Sequence, residues 1–216
     1  MEFSDTLLGR AASVREDVFA HPFVRGLGDG TLPEPKFRFY MCQDYLFLIE
    51  YCRVFGLATA KGEDLATMAR FAELLHSTLG VEMELHRRYA AEFGLSRNDL
   101  EETEIAPATH AYTSHLLNVA WSSSVGCIAA SLLPCQWGYW EIGCRLAQLP
   151  GLEQNRYRRW VESYSLYEFG ELARWLRGLV DEVAATASPA ELGRMEREFM
   201  ASSRYELMFW DMAWKA

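Results

Sequence analysis

The chain has 216 residues, a length that favours one domain spanning residues 1–216. Half of the residues are hydrophobic and 13% are aromatic, so the chain can fill a large core and is not disordered. The net charge of −9 and the lack of a basic run argue against direct nucleic-acid binding, which needs Lys and Arg to neutralise phosphates.

Helical spacing of apolar residues extends over almost the whole chain. His21-Pro22 interrupts the first segment, Gly94 ends the third, and Ser188 before Pro189 is the expected N-cap of the last. No alternating strand pattern, repeat or linker is present. We predict an all-α domain of seven or eight helices, too many for a simple four-helix bundle. The predicted helical segments are 3–19, 35–60, 63–93, 107–122, 124–148, 153–186 and 189–215.

The cysteines and the N-terminus indicate in which cellular compartment the protein is expected. Residues Met1–Asp5 lack the basic start and apolar stretch of a signal peptide. No apolar run reaches the ~18 residues that a membrane helix needs. The cysteines form neither a CxxC pair nor an even-numbered framework, which suits a reducing compartment. We therefore expect a cytoplasmic, soluble protein with no membrane partner. The cysteines are Cys42, Cys52, Cys127, Cys135 and Cys144.

The segment 35–60 places polar groups on an apolar face. Asp44, Phe47 and Tyr51 are spaced three and four residues apart, so they share one side of a helix. Leu48 and Phe55 lie on the same side, which directs it to the core. An aspartate there is costly unless it is hydrogen-bonded or serves a ligand. Either a buried tyrosine or amide partner or a ligand fits the sequence.

Residues 133–141, Leu-Pro-Cys-Gln-Trp-Gly-Tyr-Trp-Glu, bring a thiol and a phenol into an apolar run. Cys135 and Tyr139 are an i,i+4 pair and face the same side of a helix. A cysteine in this position is either an inert core residue or a nucleophile. Its partners elsewhere in the chain must decide between these two interpretations.

The aromatic segment 205–212 contains a second carboxyl group, Glu206. Burial there would raise its pKa and suit a general acid, whereas an outward-facing glutamate would be solvated. Tyr112 and Tyr164 also lie in apolar helices, where tyrosine usually packs with a satisfied hydroxyl. Together, a cysteine, two carboxylates and several aromatic rings would form a pocket for a flat heteroaromatic ligand.

Metal and haem sites are the alternatives for an all-α chain. A di-iron bundle needs two Glu-x-x-His motifs, and the chain has one, Glu73 to His76. Glu82 and His86 form an i,i+4 pair, but nine residues separate Glu73 from Glu82, which turns the two pairs to opposite sides. His21, before a proline, suits a helix cap better than an axial haem ligand. We therefore expect no metal and no cofactor.

Several segments together resemble the TenA/thiaminase II family, whose members have the haem-oxygenase-like all-α fold without haem. The Pro-Cys-x-Trp-x-Tyr and Glu-x-Met-Phe-Trp patterns are the most specific ones. All of the segments that match the family occur in order along nearly the whole chain. The matching segments are 21–23, 30–32, 43–45 with Tyr51, 82–86, 111–113, 134–139, 141–143, Tyr164 with Phe169, and 205–210.

The resemblance implies a hydrolase of thiamin salvage. Members convert 4-amino-5-aminomethyl-2-methylpyrimidine to the hydroxymethyl pyrimidine and ammonia, and some cleave thiamin. On that pattern Cys135 is the nucleophile, Glu206 the acid/base, and Asp44 the group that binds the ring nitrogens. The resemblance also implies a homotetramer. The substrate pocket would be lined by Phe47, Tyr51, Tyr112, Tyr139 and Tyr164.

One departure and two alternatives accompany this resemblance. Many relatives carry a tyrosine where this chain has Phe47, so one hydroxyl is missing from the expected pocket. Cys135 places the chain in the cysteine-bearing branch of the family. The alternative functions are a non-catalytic regulatory protein and a di-metal or cofactor-binding oxidase on the same fold.

Overall fold

The computed structural model describes residues 2–216, the side chain of Val81 excepted, and all of its regular elements are helices. None of the described helices combines the length and the apolar character that a membrane crossing requires. The twelve α-helices of this part of the chain are α1 (Phe3–Arg10), α2 (Ala12–Ala20), α3 (Pro22–Asp29), α4 (Glu34–Lys61), α5 (Leu65–Ser77), α6 (Met83–Glu92), α7 (Arg97–Glu101), α8 (Pro107–Ser122), α9 (Val125–Leu146), α10 (Arg158–Ser165), α11 (Tyr167–Thr186) and α12 (Pro189–Lys215).

The predicted count of seven or eight helices was therefore too low. The first predicted segment divides at Ala11 into α1 and α2, and the segment 153–186 divides at Leu166, whose ψ of 145° is extended, into α10 and α11. Neither break carries a proline or a positive-φ glycine, so the apolar spacing continues through both. The prediction also lacked α3 and the short α7.

The third predicted segment is interrupted by a π turn. Thr78–Glu82 forms this turn between α5 and α6, and the N–H of Met83 donates to the carbonyl of Thr78, five residues earlier. A π turn inserts one residue into the helical ladder and often occurs at functional sites. It changes the direction in which the following side chains point.

Three helix ends agree with the sequence predictions. His21 caps α3 by accepting a hydrogen bond from the N–H of Phe23. Ser188 caps α12 by accepting from the N–H of Glu191. Gly94, just beyond α6, has a φ of 72°, which is the left-handed conformation that favours glycine after a helix.

Helix α9 lies at the centre of the molecule, where it contacts α3, α4, α8, α10, α11 and α12. The run from Val125 to Leu133 is buried on all sides, as expected of a helix that other helices surround. Pro134 follows inside the helix and has no N–H to donate to the carbonyl of Ala130. The helical ladder is thus locally weakened immediately before Cys135.

Helix α4 runs beside α9 and packs against α5, α6, α7, α8 and α12. Its side chains belong to a cluster of buried apolar residues that draws on helices from α1 to α12. The all-α prediction is confirmed. The space between α4 and α9 is where the polar residues of the core collect.

Candidate active site

A cavity of about 480 Å³ lies between α4, the π turn, α6, α9, α10 and α11. Pockets of this size accommodate small-molecule ligands. Six of the eight residues predicted for the site line it. They are Asp44, Phe47, Tyr51, Cys135, Tyr139 and Tyr164.

The other two predicted residues lie together in the adjoining core. Tyr112 on α8 donates a hydrogen bond of 2.7 Å from its hydroxyl to Oε1 of Glu206 on α12. Both residues are buried, with 1% and 7% of their surface exposed. The ring of Phe47 joins this pair to the cavity wall, since its centroid lies 5.1 Å from that of Tyr112.

The sequence left open whether Glu206 is a buried acid or a solvated glutamate. The structure shows that it is buried. Burial raises its pKa from 4.5 to about 7, while hydrogen bonds from Tyr112 and Cys135 act in the opposite direction. A carboxyl group with a pKa near neutrality can both accept and return a proton. This is the property that a general acid/base needs.

Cys135 lies on α9 directly after Pro134 and is a free, partly buried thiol. Burial raises its pKa well above the usual range, and the charges of Glu206 and Asp44 raise it further. The resting group is therefore the thiol. To act as a nucleophile, the sulfur would have to lose its proton to a neighbouring base, because the thiolate is the attacking species.

Asp44 is buried on α4, with 5% of its surface exposed. Burial raises the pKa of this carboxyl well above its usual range, and the carboxyls of Glu82 and Glu206 add to the rise. Its Oδ2 lies 3.6 Å from Nδ1 of His86 on α6. No arginine or lysine of the described chain forms an ion pair with Asp44, so the group has no cation to hold it ionised.

Aromatic rings form another part of the cavity wall. The centroids of Tyr139 and Tyr164 lie 4.9 Å apart, and Tyr164 in turn packs 4.7 Å from Trp160. Gly143 makes this arrangement sterically feasible, because a Cβ there would lie 2.6 Å from the backbone carbonyl carbon of Tyr164. The backbones of α9 and α10 can approach this closely because residue 143 is a glycine.

Tyr51 contributes a hydroxyl that lies near the thiol of Cys135 but makes no hydrogen bond of normal geometry in the described structure. Its ring stacks on Phe47 with the centroids 5.3 Å apart, and it lines the cavity. A buried hydroxyl without a partner is costly unless a ligand or water completes it. The predicted face of Asp44, Phe47 and Tyr51 thus points into the cavity as one surface.

Two polar residues of the cavity were not among the predicted site residues, although the sequence analysis weighed them as metal ligands and included them in a matching family segment. Glu82, in the π turn, and His86, on α6, both line the cavity. Burial raises the pKa of Glu82. Their signals in the sequence were the i,i+4 spacing and the match of segment 82–86 to the family, since a π turn leaves no mark in the sequence. Among the described residues, no group of three or more His, Cys, Asp or Glu side chains is arranged to hold a metal ion.

The chain is similar over its whole length to proteins of one family. The model of the TENA/THI-4/PQQC family matches residues 9–216. An aminopyrimidine aminohydrolase of Halalkalibacterium halodurans is 47% identical over 99% of this chain and 96% of its own length. An aminopyrimidine aminohydrolase of Helicobacter pylori is 37% identical and covers 100% of both chains.

Solved structures have the same fold. A TenA homologue from P. horikoshii OT3 superposes with a TM-score of 0.91 at 31% identity, covering 100% of this chain and 99% of its own. A domain from Shewanella denitrificans with a heme oxygenase-like fold superposes with a TM-score of 0.76 at 16% identity, covering 98% and 91% of the two chains. The family match and the full-length relatives lead to one conclusion: this chain belongs to the TENA/THI-4/PQQC family.

Proposed function

We propose that this protein is an aminopyrimidine aminohydrolase, a hydrolase that converts 4-amino-5-aminomethyl-2-methylpyrimidine to the hydroxymethyl pyrimidine and ammonia. The observation that carries the proposal is that Cys135 lies near enough to two buried acids, Asp44 and Glu206, for both charges to act on its thiol, at a cavity walled by aromatic rings. The full-length relatives that bear this activity in their names support it.

The reaction divides into an addition and its reversal. Glu206 takes the proton of Cys135 as the sulfur bonds to an electron-poor carbon of the pyrimidine ring, and a ring nitrogen is protonated from Asp44. The ring is no longer aromatic, so the electron pair of the adduct can expel the aminomethyl nitrogen. Glu206 gives its proton to that nitrogen, which leaves as ammonia.

Water completes the conversion. It adds to the exocyclic methylene group left by the amine and loses a proton to Glu206. The ring nitrogen returns its proton to Asp44, the carbon–sulfur bond breaks and the ring becomes aromatic again. The departing sulfur recovers its proton from Glu206. One water is consumed and one ammonia released, with no oxidation or reduction.

The cavity walls supply recognition of the flat ring. Phe47 and the pair Tyr139 and Tyr164 line the cavity and offer aromatic faces on which a pyrimidine can stack. Asp44 supplies the polar contact to the ring nitrogen and amino group. In thiamin the thiazole is the leaving group at the same carbon, so the same steps would cleave thiamin.

We further propose one domain over residues 1–216, a homotetramer and a cytoplasmic location. The continuous core from α1 to α12 supports one domain. Leu85 and Leu166, at the cavity, are 58% and 53% exposed, which favours a contact between copies of the chain. The five free cysteines suit the reducing cytoplasm. Light scattering of the purified protein would measure the number of subunits.

The decisive experiment is ammonia release from the aminomethyl pyrimidine. We expect the wild-type protein to release one ammonia per hydroxymethyl pyrimidine formed, and Cys135→Ser to lower kcat by roughly three orders of magnitude or more. Cys144→Ser is the matched control, because Cys144 is also partly exposed and does not line the cavity. No ammonia from the wild type, or equal release from both serine variants, would contradict the proposal.

A further inference from the structure

His86 lies between a backbone carbonyl and the carboxyl group of Asp44. Its Nε2 is 2.9 Å from the carbonyl oxygen of Met41, and its Nδ1 is 3.6 Å from Oδ2 of Asp44. The side chains of His86 and Asp44 are 8% and 7% exposed. Since a carbonyl oxygen can only accept a hydrogen bond, the proton of the neutral imidazole must be on Nε2.

The other ring nitrogen is then a hydrogen-bond acceptor. Burial lowers the pKa of His86 to about 4, so the ring is neutral at physiological pH and Nδ1 carries a lone pair. An ionised Asp44 would direct an oxygen lone pair at that nitrogen. A proton on Oδ2 removes this repulsion and, after a small rotation, makes a hydrogen bond to Nδ1.

The other groups that face Asp44 favour the protonated carboxyl as well. Glu82 from the π turn and Glu206 from α12 oppose a further negative charge, whereas a hydrogen bond from Tyr40, on α4 itself, acts against them. The remaining ionisable groups are Cys135 and Tyr139 of α9 and Tyr164 of α10, all neutral at physiological pH. Arg87, beside His86, donates to the Tyr45 hydroxyl and to Glu84.

We propose that His86 is a specificity-determining residue that keeps the proton of Asp44 on Oδ2, from which the ring nitrogen receives it in the reaction, and leaves Oδ1 as a pure acceptor. The site then selects pyrimidines with an exocyclic amino group over their oxo counterparts. An amino group donates to Oδ1, whereas an oxo group places a second acceptor against it. Two buried acceptors in contact leave both unsatisfied, which lowers affinity by about 10- to 100-fold.

The inference rests on the proposed function, because it takes Asp44 as the group that meets the exocyclic substituent. His86 is a positioning residue, since it acts on the ligand through Asp44. Replacing the imidazole by an alkyl group frees the carboxyl proton to occupy either oxygen. Asp44 can then donate to an oxo group, so the selection is lost even where overall affinity is also reduced.

The experiment measures the Kd of 4-amino-5-hydroxymethyl-2-methylpyrimidine and of its 4-oxo counterpart by titration calorimetry. We expect the wild type to favour the amino compound by about 10- to 100-fold and His86→Leu to bring the ratio to within about threefold of unity. His86→Gln, whose amide offers both a donor for Met41 and an acceptor for Asp44, should restore the wild-type ratio. His115→Leu is the control for loss of a partly buried histidine away from the cavity.

The ratio separates selection from general damage to the fold, and thermal unfolding of each variant shows whether it is folded. If His86→Leu binds the amino compound and keeps the wild-type ratio, the role of His86 is refuted. If His86→Gln loses the ratio as His86→Leu does, the proton-holding role is refuted as well. If neither pyrimidine binds the wild type, the proposed function itself fails, and the two failures are thus distinguishable.

Discussion

The hydroxyl of Tyr112 donates a 2.7 Å hydrogen bond to Oε1 of Glu206, and the two residues are 94 positions apart in the chain. This bond favours the ionised carboxylate and works against the burial that raises the pKa of Glu206 to about 7. In the proposed mechanism, Tyr112 therefore adjusts the pH at which Glu206 accepts the proton of Cys135.

Tyr112→Phe should move the acidic limb of the pH profile. Without the donor the pKa of Glu206 rises further, so the rise of kcat with pH is expected about one unit higher than in the wild type. Rates measured from pH 5 to 9 would show the shift. Tyr205→Phe is the control, since Tyr205 stacks on Tyr112 but is only partly buried. A profile of Tyr112→Phe that is lowered but not displaced would contradict this role.

Glu206 should also make the stability of the protein depend on pH. Its carboxyl has a pKa of about 7 when folded against 4.5 when free, so the folded chain holds the extra proton between these values. The free energy of unfolding must therefore fall as the pH rises from 4.5 to 7, by up to about 3 kcal/mol from this group.

Glu206→Gln removes the group whose ionisation lowers the free energy of unfolding, and it removes the proposed acid/base as well. We expect the variant to be inactive and, at pH 8, more stable than the wild type by up to about 3 kcal/mol. At pH 4.5, where the wild-type glutamate is protonated, the difference should shrink. Urea unfolding at both values would measure it. An equal difference at the two pH values would show that Glu206 is not the titrating group.

Tyr51→Phe should separate stability from catalysis. The hydroxyl of Tyr51 is buried without a partner, so its removal is expected to stabilise the protein by about 1 kcal/mol. If water or substrate completes this hydroxyl during turnover, kcat/KM should fall in the same variant. Thermal unfolding and ammonia release measure the two effects. A destabilised variant would mean that the hydroxyl is satisfied in the free protein.

Alkylation should report the protonation state of Cys135. Because burial and the neighbouring acids hold its pKa well above the usual range, labelling by iodoacetamide at pH 7 should be slow. It should rise with pH, and the hydroxymethyl pyrimidine should protect the thiol. Mass spectrometry of the peptides distinguishes Cys135 from Cys144. Fast labelling at pH 7 would indicate a resting thiolate.

The predictable part of the site comes from single helices. Asp44, Phe47 and Tyr51 lie on one face because their spacing follows the helical period, and the structure turns that face into the cavity. The pairing of Tyr112 with Glu206 depends on how α8 packs against α12. Periodicity carries no signal for such packing, so the sequence singled out both residues but did not predict that they form a pair.

The helix breaks were missed for a related reason. Ala11 and Leu166 interrupt helices without a glycine or proline that would mark them. The role of His86 depends on the carbonyl of Met41, a backbone group that no residue pattern reveals. Fold class follows from the apolar spacing over the whole chain, whereas helix count and polar partners follow from local backbone geometry.

The π turn lets the chain carry one extra residue without displacing the site. The extra residue is absorbed within Thr78–Glu82, so the residues after it keep the orientation that they would have in an unbroken helix one residue shorter. If all of these residues wound as a regular α-helix, everything after them would rotate by about 100° and His86 would swing away from Asp44. A gap of one residue in an alignment at this point is therefore compatible with an unchanged site.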